Sequence, residues 1–197
     1  MRKALIFCTI MFIILAAAPL LTSYISKDNR DFKKTESTSI SVKNAIDEDY
    51  IIQYTASITD ENFCDEGLKA ALSIAKNNTR YFETEGKEKD NIPTEVSSNE
   101  LLNRIKNLYN DVDVSIEYKS EIVYIPVSSL SVGFTKANET YPYMESVASP
   151  WDTFNEKFIY DKDYSAGVSM EGINYLCNEK MSYKEALKWY LPEFDIK

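Results

Sequence analysis

Three phrases decide how this chain is read: YPYMESVASPWD (residues 141–152), SAGVSMEGINYL (165–176) and MSYKEALKWYLPEFDIK (181–197). The middle phrase brings Gly167, Met170 and Gly172 close together in a chain with only five glycines. That spacing predicts a tight backbone path leading into a helix. In the last phrase Ser182 is a predicted N-cap, with Glu185 placed as its capping-box partner. The helix that follows runs through Ala186, Leu187, Trp189 and Tyr190, and Pro192, which cannot continue it, is the expected stop.

The whole chain has 197 residues, which suits one membrane segment plus one domain of roughly 100–150 residues, large enough for a single core. Its formal charge is −9, so there is no basic footprint for a phosphate backbone, and nucleic acid is excluded as an expected partner. The chain contains no histidine, which removes the commonest general base and the commonest zinc ligand. Fourteen tyrosines and nine phenylalanines predict an aromatic-rich core, a sugar-facing groove being the other home for such rings. Cys8 falls in the apolar N-terminal run and reads as a small hydrophobe. Cys64 and Cys177 are the two remaining cysteines. They can pair outside the cytoplasm, although one pair makes no disulfide framework. No metal site and no cofactor is expected.

Met1, Arg2 and Lys3 give a positive start, and residues 4–21 follow without a charge. Eighteen residues are about the minimum for a spanning helix. Residues 1–25 therefore read as an N-terminal membrane anchor, or alternatively as a cleaved signal peptide. Pro19 directly after Ala16–Ala17–Ala18 makes a poor cleavage context, which favours the anchor. With the positive end inside, the rest of the chain is expected outside, as a single-pass membrane protein with an extracytoplasmic domain. Residues 26–43 are polar and charged and read as a flexible tether. Residues 44–197 form the predicted domain.

Within that domain DEDYIIQYTASI (47–58) fits a strand or a short amphipathic helix. Asp60, Glu61 and Asn62 then break the pattern as plausible caps. Leu68, Ala71, Leu72 and Ala75 share one helical face, predicting a helix over Phe63–Tyr81. Glu83–Ser98 is charged, contains Pro93, and reads as a loop. Asn99–Tyr109 is a second amphipathic helix, with Leu101, Leu102, Ile105 and Leu108 on one side. VDVSIEY (112–118) and SEIVYIPVSSL (120–130), joined at Lys119–Ser120, look like a hairpin. The predicted class is α+β, in one domain behind the N-terminal segment.

In order, these phrases resemble the stage II sporulation protein D family. Members carry Glu-Tyr-Val-x-Gly-Val-Val-Ala-Ser-Glu-Met-Pro, then Glu-Ala-Leu-Lys-Ala-Gln-Ala-Val-Ala-Ala-Arg-Thr-Tyr. Here DYIIQYTASITD (49–60) and EGLKAALSIAKNN (66–78) stand at the same spacing. IPVSSLSVGFT (125–135) sits where the family has a Tyr-His-Ser-x-Ser-Gly-Gly segment. The YPYMESVASPWD, SAGVSMEGINYL and MSYKEALKWY phrases match its Pro-Tyr-Leu-x-Ser-Val-x-Ser-Pro-Trp-Asp, Gly-His-Gly-Val-Gly-Met-Ser-Gln-Tyr-Gly-Ala and Ser-Tyr-x-Glu-Ile-Leu-x-x-Tyr-Tyr phrases. The resemblance covers nearly the whole outer domain.

Members of that family are similar to lytic transglycosylases that cut peptide-free peptidoglycan glycan during engulfment, and a related branch is described as amidase enhancers. The implied chemistry needs a carboxylic acid that protonates the glycosidic oxygen and then deprotonates the hydroxyl closing the anhydro ring. The family's glutamate falls on Ile58, which transfers no proton. Its two histidines fall near Val127 and on Ala166. Asp60 and Glu61 are the nearest substitute acids, with helix capping as their alternative role. The resemblance therefore implies a degenerate member and no catalytic residue of the family type. Such a protein would bind peptidoglycan glycan strands or a cell-wall hydrolase without cutting. The alternatives are an active lytic enzyme using Asp60 or Glu61, and a structural partner of a membrane complex without sugar affinity. Groove candidates are Ser128, Ser129, Gly167, Ser169 and Met170, each with turn chemistry as its other reading. Trp151 is placed either on a sugar face or, after Pro150, as a core anchor.

Overall fold

The computed structural model describes residues 48–88, 98–137, 139–157 and 167–197. All of them belong to one compact unit, Asp47–Lys197. The predicted anchor and tether, Ala166, and residues 89–97 of the predicted loop lie outside the described residues. Among the described residues no helix is long and apolar enough to cross a membrane. The class is α+β, with five α-helices and four strands of two residues each among the described residues.

The segment left open between strand and helix is a helix, α1 (residues 48–57). Ile51, Ile52, Tyr54, Thr55 and Ala56 are buried, while Gln53 and Ser57 face out. This is a helical face, not an alternation. The hydroxyls of Ser57 and Thr59 donate to the Tyr54 and Thr55 carbonyls, both at 2.8 Å. They thereby add acceptor contacts at the helix end, where the Thr55 carbonyl also accepts from the Ile58 amide at 3.3 Å.

Helix α2 (Asp65–Glu85) is the centre of the unit. It starts at an N-cap formed by Cys64, whose Sγ accepts from the Gly67 amide. Neither Asp60 nor Glu61 caps it, contrary to the capping expectation for both. Gly86 in the left-handed region (φ 61°) ends the helix. The helix thus outruns its predicted end at Tyr81, because no breaker intervenes and Phe82 is buried. Helices α3 (Asn99–Leu108), α4 (Met170–Asn178) and α5 (Tyr183–Tyr190) all pack against it. In α3, Leu101 and Ile105 are buried, with Leu102 and Leu108 packed at the edge of the core.

The hairpin expectation holds only at its tip. Lys119 (φ 51°) and Ser120 (φ 68°) are both left-handed, and Tyr118 and Glu121 exchange backbone hydrogen bonds of 2.9 and 3.0 Å across them. This is the backbone of a two-residue primed turn. Beyond that single bridge the arms part. In the first arm, Val112, Val114 and Ile116 alternate inward as expected. Its strand β1 (Ile116–Glu117) pairs instead with β4 (Asp195–Ile196), antiparallel, with Ile116 opposite Ile196. In the second arm the backbone groups of Val123 and Ile125 find partners on α2, while the Tyr124 carbonyl accepts from the Tyr143 hydroxyl at 2.7 Å. Asn78 donates to the Ile125 carbonyl and accepts from its amide, both at 2.8 Å, and Asn77 donates to the Val123 carbonyl at 2.8 Å. A side-chain amide thus takes the place of a neighbouring strand.

Strand β2 (Val127–Ser128) runs parallel to β3 (Val168–Ser169). Gly167 (φ 91°) enters β3 so close to β2 that a Cβ there would overlap the Pro126 carbonyl. The tight path read from the SAGVSMEGINYL phrase is this approach, and α4 follows at once.

The three C-terminal phrases meet at the Tyr190 hydroxyl. It lies 2.6 Å from Ser149 Oγ and accepts from Trp151 Nε1 at 3.1 Å. Asp152, buried, accepts from Ser149 Oγ at 2.8 Å and from the Ser131 amide at 2.9 Å. A Cβ at Gly172 would overlap the Tyr190 hydroxyl and lie 2.8 Å from Ser149 Oγ and Trp151 Nε1. The predicted capping box of Ser182 and Glu185 is present at the start of α5. Trp151, half-buried, packs against the core and is stacked on the exposed Tyr175 at 5.4 Å and 7°.

Two substitutions test this packing in urea unfolding. Gly172→Ala is expected to destabilise the protein by about 3 kcal/mol through overpacking. Asn78→Ala is expected to cost about 3 kcal/mol, because it strands both backbone groups of the buried Ile125. Losses below about 1 kcal/mol would show that neither contact holds the fold.

Candidate functional site

A pocket of about 200 Å³ opens where the turn after α1 faces β2 and the start of α4. Residues 57–60 form one wall. Its shape comes from the hydroxyl-capped end of α1 and from an Asx turn in which Asp60 Oδ1 accepts from the Asn62 amide at 2.8 Å. Arg104 of α3 fixes the following loop by donating to the Glu61 and Phe63 carbonyls at 3.1 and 2.8 Å. Val127, Ser128 and Ser129 form the facing wall. The Glu171 amide donates to the Ser129 carbonyl at 3.0 Å, which ties that wall to the first turn of α4.

Four apolar side chains, Ile58, Phe63, Val127 and Met170, share the pocket with Asp60, Lys157, Glu171, Thr59 and three serines. Ile58, the position that the family resemblance assigns to the acid, therefore does face a cavity. The Lys157 ammonium bridges the two carboxylates, pairing with Asp60 and with Glu171 Oε1, the latter at 2.6 Å. Asn155 Nδ2 donates to the other Glu171 oxygen at 3.3 Å. The hydrogen bond to Asp60, then that to Glu171, push the Lys157 ammonium above lysine's ordinary value, against a smaller opposing effect of burial. Ser128 Oγ is buried and has no hydrogen-bond partner among the described residues.

Of the residues expected from the sequence, Asp60, Ser128, Ser129 and Met170 come together in this pocket. Glu61 does not. It is exposed and contributes only its carbonyl, to Arg104. Gly167 and Ser169 are buried behind the wall. Gly167 serves the β2–β3 approach, and Ser169 caps α4 by accepting from the Gly172 amide at 3.1 Å. Lys157 and Glu171 were not anticipated. Glu171 had a usable signal, since it directly follows Met170 in a predicted first helical turn, where acidic residues are favoured. Lys157 had none, because it lies 97 positions from Asp60. Among the described residues no three His, Cys, Asp or Glu side chains converge to hold a metal ion. No protein-family model and no curated protein matches the chain.

The ion-pair cluster has a defined pH signature. Because the folded Lys157 value is raised, the stabilisation from these pairs is fully present below the ordinary lysine value of 10.5. It is lost as pH rises through the folded value. A carbon-13 NMR titration of the Lys157 side chain is expected to give a midpoint above that ordinary value. The double change Asp60→Asn and Glu171→Gln is expected to bring it back down, and an unmoved midpoint would rule out the bridge in solution.

Proposed function

We propose that this protein is a stage II sporulation protein D-like cell-wall protein, held to the membrane by residues 4–21, that binds glycan strands without cutting them. The observation that carries this reading is the pocket itself. At the acid's position stands Ile58, and across from it lie Ser129, Lys157 and Glu171 on the facing side of the same pocket.

The lining suits a sugar ring. Ile58, Phe63 and Met170 offer an apolar surface for its C–H face, and Ser129 and the Asp60–Lys157–Glu171 cluster offer donors and acceptors for its hydroxyls. A volume near 200 Å³ lies below the range of drug-sized pockets, which fits one ring of a strand that continues outside. Lytic cleavage would need a group free to hand over a proton. Asp60 and Glu171 instead both accept from the Lys157 ammonium.

Asp60 lines the pocket, and that placement favours one other reading, cleavage with Asp60 as a displaced acid. The two are separated by incubating the purified protein with peptide-free glycan strands and reading anhydro-sugar ends by mass spectrometry, alongside retention of the strands in a pull-down. Retention without new ends is expected. Ser129→Ala is expected to weaken retention roughly tenfold, about one net hydrogen bond. New anhydro ends that disappear with Asp60→Asn would overturn the non-catalytic reading. Absence of retention would overturn glycan binding and leave a protein partner, such as a cell-wall hydrolase, as the target.

A further inference from the structure

A second cavity, of about 510 Å³, opens between the N-terminal end of α2 and the turn joining α4 to α5. Cys64 and Cys177 both line it, together with Glu66, Lys180 and Glu185. They lie 113 positions apart, Cys64 as the N-cap of α2 and Cys177 in the last turn of α4, yet both open onto this one cavity. The backbones converge at the same place. The Cys64 amide donates to Asn174 Oδ1 at 2.9 Å, and Asn174 precedes Cys177 by three residues on one face of α4. Gly67 permits this approach, since a Cβ there would lie 2.9 Å from Asn174 Oδ1 and 3.5 Å from the Asn174 Cα. Both cysteines are free thiols here.

We propose that Cys64 and Cys177 form a reversible disulfide joining the start of α2 to the end of α4. The oxidant is a disulfide, either of a thiol–disulfide oxidoreductase or of a small molecule such as oxidised glutathione. Cys64 is half-exposed at the cavity and Cys177 is buried, so Cys64 meets the oxidant first. Its thiolate attacks one oxidant sulfur and expels the other as a thiolate, leaving a mixed disulfide on Cys64. Cys177 then attacks Cys64 Sγ, the intramolecular bond forms, and the second oxidant sulfur leaves. The two cysteines are oxidised by two electrons, the oxidant is reduced to two thiols, and the two cysteine protons end on those thiols. Burial, followed by the neighbouring Cys64 and Glu66, pushes the Cys177 thiol up to about 12. It therefore stays protonated and inert until the mixed disulfide is beside it.

The linkage stands apart from the glycan reading and requires only a compartment that supplies disulfide oxidants, as the outside of the cell does. The test uses the full chain in mild detergent, equilibrated with oxidised or with reduced glutathione, acid-quenched, alkylated and digested for mass spectrometry. A peptide pair linking Cys64 to Cys177 is expected as the main oxidised product. A closed loop of this length is expected to raise Tm by roughly 10 °C over the reduced protein. Cys64→Ser keeps a good N-cap for α2 and is expected to abolish the dependence of Tm on glutathione. Recovery of Cys64 and Cys177 as alkylated thiols, or as separate glutathione adducts, would overturn the proposal. So would a Tm that still follows glutathione in Cys64→Ser.

Discussion

The Tyr190 hydroxyl is the point on which the rest of the structure depends. It is the only polar atom of a side chain otherwise buried in the core, and burial pushes its pKa up, so it remains a neutral donor and acceptor. Ser149 and Trp151 reach it from the Ser-Pro-Trp-Asp turn, and Gly172 lets α4 pass against it. Three chain segments are thereby held in one arrangement by groups that would be costly to bury unpaired. That arrangement places the 150–157 segment, and hence Lys157, beside the first turn of α4, and hence Glu171. The polar side of the pocket is a consequence of core packing some residues away from it.

A second constraint comes from α2, whose Asn77 and Asn78 are buried in the middle of a helix. Asparagine is a poor helix former and an expensive residue to bury. Both are tolerated because Asn78 pairs with the two backbone groups of Ile125 and with the Tyr54 hydroxyl, and Asn77 with the Val123 carbonyl. The segment 123–125 is thus satisfied without a β neighbour, which frees β1 to pair with the C-terminus. The sheet content of the unit is small because a helix performs part of the sheet's hydrogen bonding.

What was legible in the sequence was local. The Ser182–Glu185 capping box, the inward alternation of Val112, Val114 and Ile116, the turn at Lys119–Ser120 and the constrained path at Gly167 all follow from chemistry within a few residues. The helical nature of residues 48–57 was not decided by pattern, because a run buried on most sides fits either period. The partner of β1 was invisible, since a two-residue strand near the chain end carries no periodicity. Asp60 was legible as a polar residue at a break but not in its role. A carboxylate at the end of one helix reads as the cap of the next until its partner is known, and here that partner comes from a distant turn. Half of the candidate site was likewise reachable, because Ser128, Ser129 and Met170 sit in phrases with recognisable order. Lys157 lies in an irregular stretch with no pattern to mark it.

The pocket and the thiol pair occupy opposite ends of one contact between helices. Helix α4 presents Met170 and Glu171 to the pocket in its first turn and Cys177 to the second cavity in its last. The loop from Ile58 to Cys64 likewise carries Ile58 and Asp60 at one end and Cys64 at the other. The 57–60 wall therefore continues into Cys64, and the facing wall is tied by the Glu171 amide to the helix that carries Cys177. In the thiol state the loop is held to α4 by the bond from the Cys64 amide to Asn174 and by the Lys157 bridge between Asp60 and Glu171. The bridge is partly exposed and screened by salt, so it is a weak restraint. A covalent link at the far end would reduce the freedom of the loop to swing away from α4 even when a ligand hydroxyl displaces Lys157 from one carboxylate. Under the proposed glycan reading the oxidised form would be the better-preorganised binder, since less ordering would remain to be done when a sugar enters.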